Sequence, residues 1–353
     1  MKAMPCRFKV HPPYMGLACI ERKSLAVRLG SLETSCHKLT KTALSLFAVL
    51  AILLPGRPSL AHGMALHGPG DLWHSWQTDP LVTIPLIASI LLFARGVWRL
   101  RGSLGRLLPG FGMGQVFCFV AGTALLAFAL LSPLESLSKP LLSAHMVQHI
   151  LLIAVAPPLL VLGKPEVAWL WALPDAWRRG MARNRGARSI LSFLSPCAKP
   201  IPAALIHMAT LWIWHSPTLF DAAVASDRLH WLEHVLFFGT ALLFWRAAIK
   251  AHSGREAAAA ALIACFITLL QSGLLSALLS FAREALYRTP DMGDWGLTAL
   301  EDQQLAGAIM SLPMCAIYLV SGLIMALRLL TPPGRERRSP LPVAPSDLLK
   351  QSS

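Results

Sequence analysis

The chain has 353 residues, of which 55% are hydrophobic and 14% charged, with a formal net charge of +14. So apolar a composition excludes a soluble domain with a polar exterior. Apolar runs of roughly 20 residues point instead to an all-α, polytopic membrane helical bundle. The positive charge suggests nucleic acid, but no basic groove with interleaved aromatics accompanies it. Lys and Arg gather on the cytoplasmic loops of membrane proteins, so the bilayer is the expected partner and nucleic acid is not.

Residues 1–61 read as an N-terminal extension and a signal peptide. ALSLFAVLAILL (43–54) is an apolar core preceded by Lys38 and Lys41 and followed by the small-x-small pattern Ser59-Leu60-Ala61. It is short for a span and suits a cleavable signal, with an uncleaved anchor as the alternative. Residues 62–80 then form an external, periplasmic segment, where His62, Met64, His67 and His74 offer a soft metal collector. Cleavage after Ala61 would also free the α-amino group of His62 as a chelating donor.

Seven spans are predicted downstream, over 81–99, 115–133, 141–163, 200–217, 228–246, 257–281 and 305–329, making 81–330 the membrane domain. The loops orient it. One side holds Arg99, Arg101 and Arg106, then Lys164, Arg178, Arg179, Arg183, Arg185 and Arg188, then Arg246, Lys250 and Arg255, then Arg328, Arg335, Arg337 and Arg338. The other holds Lys139, Arg228, Arg283 and Arg288. The positive-inside rule puts the C-terminus in the cytoplasm and the mature N-terminus in the periplasm, as a secretory signal also requires. Residues 331–353, rich in Pro and Ser, read as a disordered cytoplasmic tail. The seven cysteines form neither a CxxC nor a regular framework, so no disulfide scaffold or zinc ribbon is expected.

Histidines fall on three of these spans. His145 and His149 lie in the first turns of the third, after Pro140, which suits a helix N1 position. His207 and His215 lie on the fourth, and His230 and His234 open the fifth. Spacings of four and eight put each pair near one helix face. All six fall in the outer half of the membrane. A lone histidine near a helix end is ordinarily an interfacial residue with its tip in water. Three pairs at one level point further, because an ionisable side chain inside a span usually faces a partner or a cavity. Rise per residue sorts them into a deeper tier (His149, His207, His234) and one nearer the surface (His145, His215, His230). Neutral imidazole binds zinc, copper, iron or nickel, and thioether selects Cu(I). Met310, two turns inside Asp302 on the last span, supplies a thioether at the deeper level, and Met314 is a weaker candidate. Copper, as Cu(I), is therefore the expected metal. Haem b is the rival, since membrane cytochromes place His pairs on facing helices. Pro157-Pro158 should bend the third span.

The stretch SAHMVQHILLIAVAPPLLVLGKP (143–165) resembles the signature region of the CtaG family, assembly factors of caa(3)-type cytochrome c oxidase. LHWLEHVLFFGTALLFW (229–245) and DQQLAGAIMSLPMCAIYLV (302–320) resemble two further family regions, so the likeness runs over about 70–330. It implies a non-enzymatic factor of the bacterial inner membrane that helps to build a haem-copper oxidase of the respiratory chain. Its partners would be the oxidase subunits and a periplasmic copper chaperone. The candidate ligands are then His145, His149, His207, His215, His230 and His234, with Asp302, Met310, His62 and His67. A membrane redox protein and a copper transporter are the competing readings. A transporter should carry ligands through the inner halves of its spans, where this sequence places no histidine.

Overall fold

The computed structural model describes residues 75–104, 111–183, 195–251, 254–288 and 295–330. The expected signal peptide, the His62/His67 segment and the tail lie outside them. The described residues are helical: α1 (Pro80–Leu104), α2 (Met113–Leu131), α3 (Pro133–Leu137), α4 (Leu142–Gly163), α5 (Pro165–Ala172), α6 (Asp175–Arg183), α7 (Pro200–Trp214), α8 (Pro217–Ala225), α9 (Asp227–Ile249), α10 (Arg255–Ser280) and α11 (Ala299–Leu330).

Six of these, α1, α2, α4, α9, α10 and α11, are long and apolar enough to cross a membrane. The predicted fourth span, α7, has 15 residues, about 22 Å at 1.5 Å per residue, against a hydrocarbon core of about 30 Å. The expected seven spans are therefore six full-length helices and one short one. The short one ends where His215 caps it and Ser216-Pro217 turns the chain into α8. The outer faces match a lipid solvent. Ile84, Leu91 and Trp98 on α1, Phe117 on α2, Leu270 on α10 and Leu319 and Leu323 on α11 are all exposed.

Two apolar cores hold the bundle. The larger joins α4, α7, α8, α9, α10 and α11 around Met146, Phe237, Phe244, Met310, Met314 and Tyr318. The smaller joins α1, α2, α4 and α5, with Phe93 and Phe119 stacked at 3.7 Å between centroids. Close helix approach depends on glycine at two positions. A Cβ on Gly163 would come within 2.8 Å of the Phe119 backbone nitrogen, and one on Gly307 within 2.7 Å of the Ser280 nitrogen.

The helix that carries His145 and His149 is built with two departures from regularity. Its first turn is capped from outside. Leu141 at the N-cap offers no side-chain acceptor; instead Asp302 of α11 accepts from Leu142 N–H at 2.6 Å and Ser143 N–H at 3.1 Å. A carboxylate at a helix N-terminus satisfies orphan donors and suits the helix dipole. Pro140 is consequently not at N1, as its position suggests, but one residue before the N-cap. The second departure is at the prolines. Residues Leu151–Val155 form a π-helical turn, closed by Ala156 N–H to Leu151 C=O. Pro157 has no N–H to return to Ile153, four residues back. The freed Ile153 carbonyl accepts from the Trp245 indole of α9 at 2.9 Å. The irregularity expected from Pro157-Pro158 thus sits in the turn before them, and α9 fills the hydrogen bond they cannot make.

At the C-terminal end of α9, Glu166 of α5 is buried between Arg246 (3.2 Å) and Lys250 (2.6 Å). Burial alone would raise its pKa, but the two cations hold it below the ordinary 4.5.

Candidate metal centre

At the other end of the bundle, α4 and α9 face each other with their first turns in contact. His145 and His149 project from α4, His230 and His234 from α9, and His215 from the end of α7. All five are buried, as is Glu233 on α9, whose side chain is wholly inaccessible. The i,i+4 pairs stack along their own helices, with ring centroids 4.2 Å apart in both His145–His149 and His230–His234. Across the helix interface the rings stand further apart: 5.2 Å for His145–His230, 5.6 Å for His149–His234 and 6.0 Å for His149–His215. Glu233 lies between them. One carboxylate oxygen is 3.8 Å from His145 Nε2 and the other 3.8 Å from His149 Nε2. Donor atoms of His145, His230 and Glu233 all lie within 4.8 Å of one another.

Hydrogen bonding to Nδ1 orients two of the rings. His145 Nδ1 pairs with the Ser138 carbonyl at 3.2 Å and His215 Nδ1 with the Leu211 carbonyl at 2.8 Å. A carbonyl can only accept, so both rings carry their proton on Nδ1 and keep a lone pair on Nε2. This is the outer-shell arrangement that orients ligating histidines. The Nε2 atoms of His145, His149, His215, His230 and His234 and both Glu233 oxygens are buried without a hydrogen-bond partner. Each such group costs about 1–3 kcal/mol unless something binds it. So many orphaned nitrogens around one carboxylate fit a cation.

A second layer surrounds this set. Glu135 of α3 lies 3.6 Å from His230 Nδ1 and accepts a hydrogen bond from Gln148, which also donates to the Ala129 carbonyl at 2.8 Å. Burial raises the Glu135 pKa to about 7, against the lowering effect of Gln148 and Lys139. Phe237 packs against His149 and His215, and Phe220 against His145. Tyr287 donates to the His215 carbonyl at 2.9 Å. A cleft lined by Ser138, Lys139, His145, Val224, Asp227 and His230 opens to the surface above His145 and His230. The Lys139–Asp227 ion pair at 3.0 Å stands on its rim.

Five of the six predicted span histidines are therefore brought together. His207 is not. Its Nδ1 pairs with Thr240 Oγ1 at 2.9 Å and its ring stacks on Phe244, deeper in the core. The two-tier grouping also changes, because the short α7 brings His215 against His149 rather than against the upper pair. Asp302 spends both oxygens on the α4 cap, and Met310 is buried in the larger apolar core. His62 and His67 lie outside the described residues. Sequence reasoning misses Glu233: Asp302 is the acid it nominates as a ligand. The available signal is the run His230-Trp-Leu-Glu233-His234, a His-x-x-Glu-His spacing that puts carboxylate and imidazoles on neighbouring positions of one helix.

The chain matches the family model described as cytochrome c oxidase caa3 assembly factor (Caa3_CtaG) over residues 91–332. Among curated proteins, uncharacterized proteins of Mycobacterium bovis and Mycobacterium tuberculosis are each 29% identical over 184 residues, covering 50% of this chain and 25% of theirs. One from Mycobacterium leprae is 28% identical over 165 residues, covering 44% of this chain and 23% of its own. The chain thus spans about a quarter of the length of these relatives. No solved structure matches it. The family match takes in most of the chain, with all five clustered histidines and Glu233 inside it: the chain belongs to the cytochrome c oxidase caa3 assembly factor family.

Proposed function

We propose that this multi-pass membrane protein supports cytochrome c oxidase assembly by holding copper, as cargo, in the imidazole–carboxylate cluster between α4, α7 and α9. The observation that carries the reading is the set of buried Nε2 atoms and Glu233 oxygens without hydrogen-bond partners. Imidazole nitrogen is a good donor for copper. The ring packing favours a bare ion over haem b. A porphyrin needs a flat slot between its axial ligands, whereas these rings lie edge to face on one another and on Phe220 and Phe237.

The role is non-enzymatic: the cluster receives copper from a periplasmic chaperone and yields it to an oxidase subunit. The basic loops support a periplasmic cluster end and a cytoplasmic C-terminus. A transporter reading gains nothing from the inner half, where Glu166, Arg246 and Lys250 form an ion-paired group without imidazole. The test is alanine at His149 or His234 in the parent cell. Active oxidase should fall while the variant stays in the membrane at wild-type level. Unchanged oxidase in both variants would refute the role.

A further inference from the structure

The cluster has an internal division. Two imidazoles bound to one tetrahedral ion, each at about 2.0–2.1 Å, have ring centroids roughly 5 Å apart, since both rings point away from the ion. The 4.2 Å pairs within α4 and within α9 are tighter than that. The cross-helix His145–His230 pair matches it at 5.2 Å and His149–His234 lies near it at 5.6 Å, with His149–His215 wider at 6.0 Å. The ligand pairs therefore run between helices, at two levels one turn apart: His145 with His230, and His149 with His234 or His215. Glu233 stands between the two, with one oxygen directed to His145 and the other to His149, both at 3.8 Å. A carboxylate serving one ion would direct a single oxygen, or both, at one imidazole pair.

We propose that the centre is dinuclear, with Glu233 as the bridging ligand, an inference that rests on the metal-binding reading above. One ion is held by His145, His230 and one Glu233 oxygen. The second is held by His149, the other Glu233 oxygen and an imidazole from His234 or His215. Hard carboxylate oxygen with borderline imidazole suits divalent ions, zinc or oxidised copper. The centre is therefore a divalent-ion pair, for which Cu(II) serves as a paramagnetic probe, rather than a Cu(I) thioether site. A small cleft lies above His145 and His230, on the surface side of the upper ion.

The test uses the purified full chain, stripped of metal and titrated with Cu(II) in a non-coordinating buffer. Retained copper is counted relative to a His145→Ala/His149→Ala double variant, which subtracts binding elsewhere in the chain. Wild type should hold two ions more than the double variant. Its integrated paramagnetic resonance signal should fall well below two spins, because bridged Cu(II) ions couple. His145→Ala and His149→Ala should each keep one ion and a full one-spin signal, which also shows that each variant is folded. Glu233→Gln keeps the side-chain shape and removes the charge. It should lose the coupling and weaken the second ion at least tenfold. One extra ion per chain with a full spin signal would overturn the bridge while leaving a mononuclear site standing. No extra copper at all would overturn both this proposal and the reading it rests on.

Discussion

Asp302→Asn separates the role of a cap from that of a ligand. The Asp302 carboxylate accepts two backbone hydrogen bonds, from Leu142 N–H at 2.6 Å and Ser143 N–H at 3.1 Å, in a fully buried position. The amide keeps one acceptor oxygen and turns an N–H₂ group toward the second donor. One charge-assisted bond becomes neutral and one buried donor is left unpaired. Charge-assisted bonds are worth about 1.5–3 kcal/mol, and an unpaired donor costs about 1–3 kcal/mol. After partial relaxation of the first turn of α4, a loss of about 2 kcal/mol is expected. The assay is reversible unfolding in mixed micelles followed by far-UV circular dichroism, with copper retention measured on the same sample. The midpoint should shift to lower denaturant while copper per chain stays at the wild-type value. Loss of copper with unchanged stability would refute the cap and make Asp302 a ligand.

Trp245→Phe keeps the ring packed on Tyr318 and deletes the donor to the Ile153 carbonyl. It should destabilise the bundle by about 1–3 kcal/mol in the same unfolding assay and leave copper retention unchanged. Glu166→Gln tests the ion-paired end. The pKa of Glu166 is held below 4.5 in the folded chain, so its contribution is fully present above that value and is lost as pH falls through the folded pKa. The variant should be less stable than wild type at pH 7, and the difference should shrink as pH falls below 4.5. A reporter active solely in the periplasm, fused after Arg338, should be silent, and activity there would invert the proposed orientation.

Much of the bundle is legible in the sequence because its signals are local. Apolar runs set the long helices to within a few residues, and the i,i+4 spacing of His145/His149 and His230/His234 fixes each pair on one face before any helix is placed. What escapes depends on contacts between distant segments. The span over 200–217 closes early because Ser216-Pro217 starts a new helix, and this carries His215 to the level of His149. His207 lies on the same helix as His215, yet its partner is Thr240 on α9, which no spacing rule nominates. Asp302 has the composition of a ligand, but its oxygens meet backbone donors 159 and 160 residues away. Glu233 adjoins His234 in the chain, but the i,i+4 spacing of the histidines does not nominate it. Its burial between two imidazole pairs follows from helix packing rather than from its neighbours in the chain.

The central claim, that imidazoles and a carboxylate between α4, α7 and α9 hold copper, is most directly tested by X-ray absorption on the copper-loaded full chain. Nitrogen and oxygen scatterers near about 2.0 Å with the outer-shell pattern of imidazole are expected. That pattern should be lost in the His145→Ala/His149→Ala variant. A sulfur shell near about 2.3 Å, or an imidazole pattern that survives the double substitution, would contradict the account.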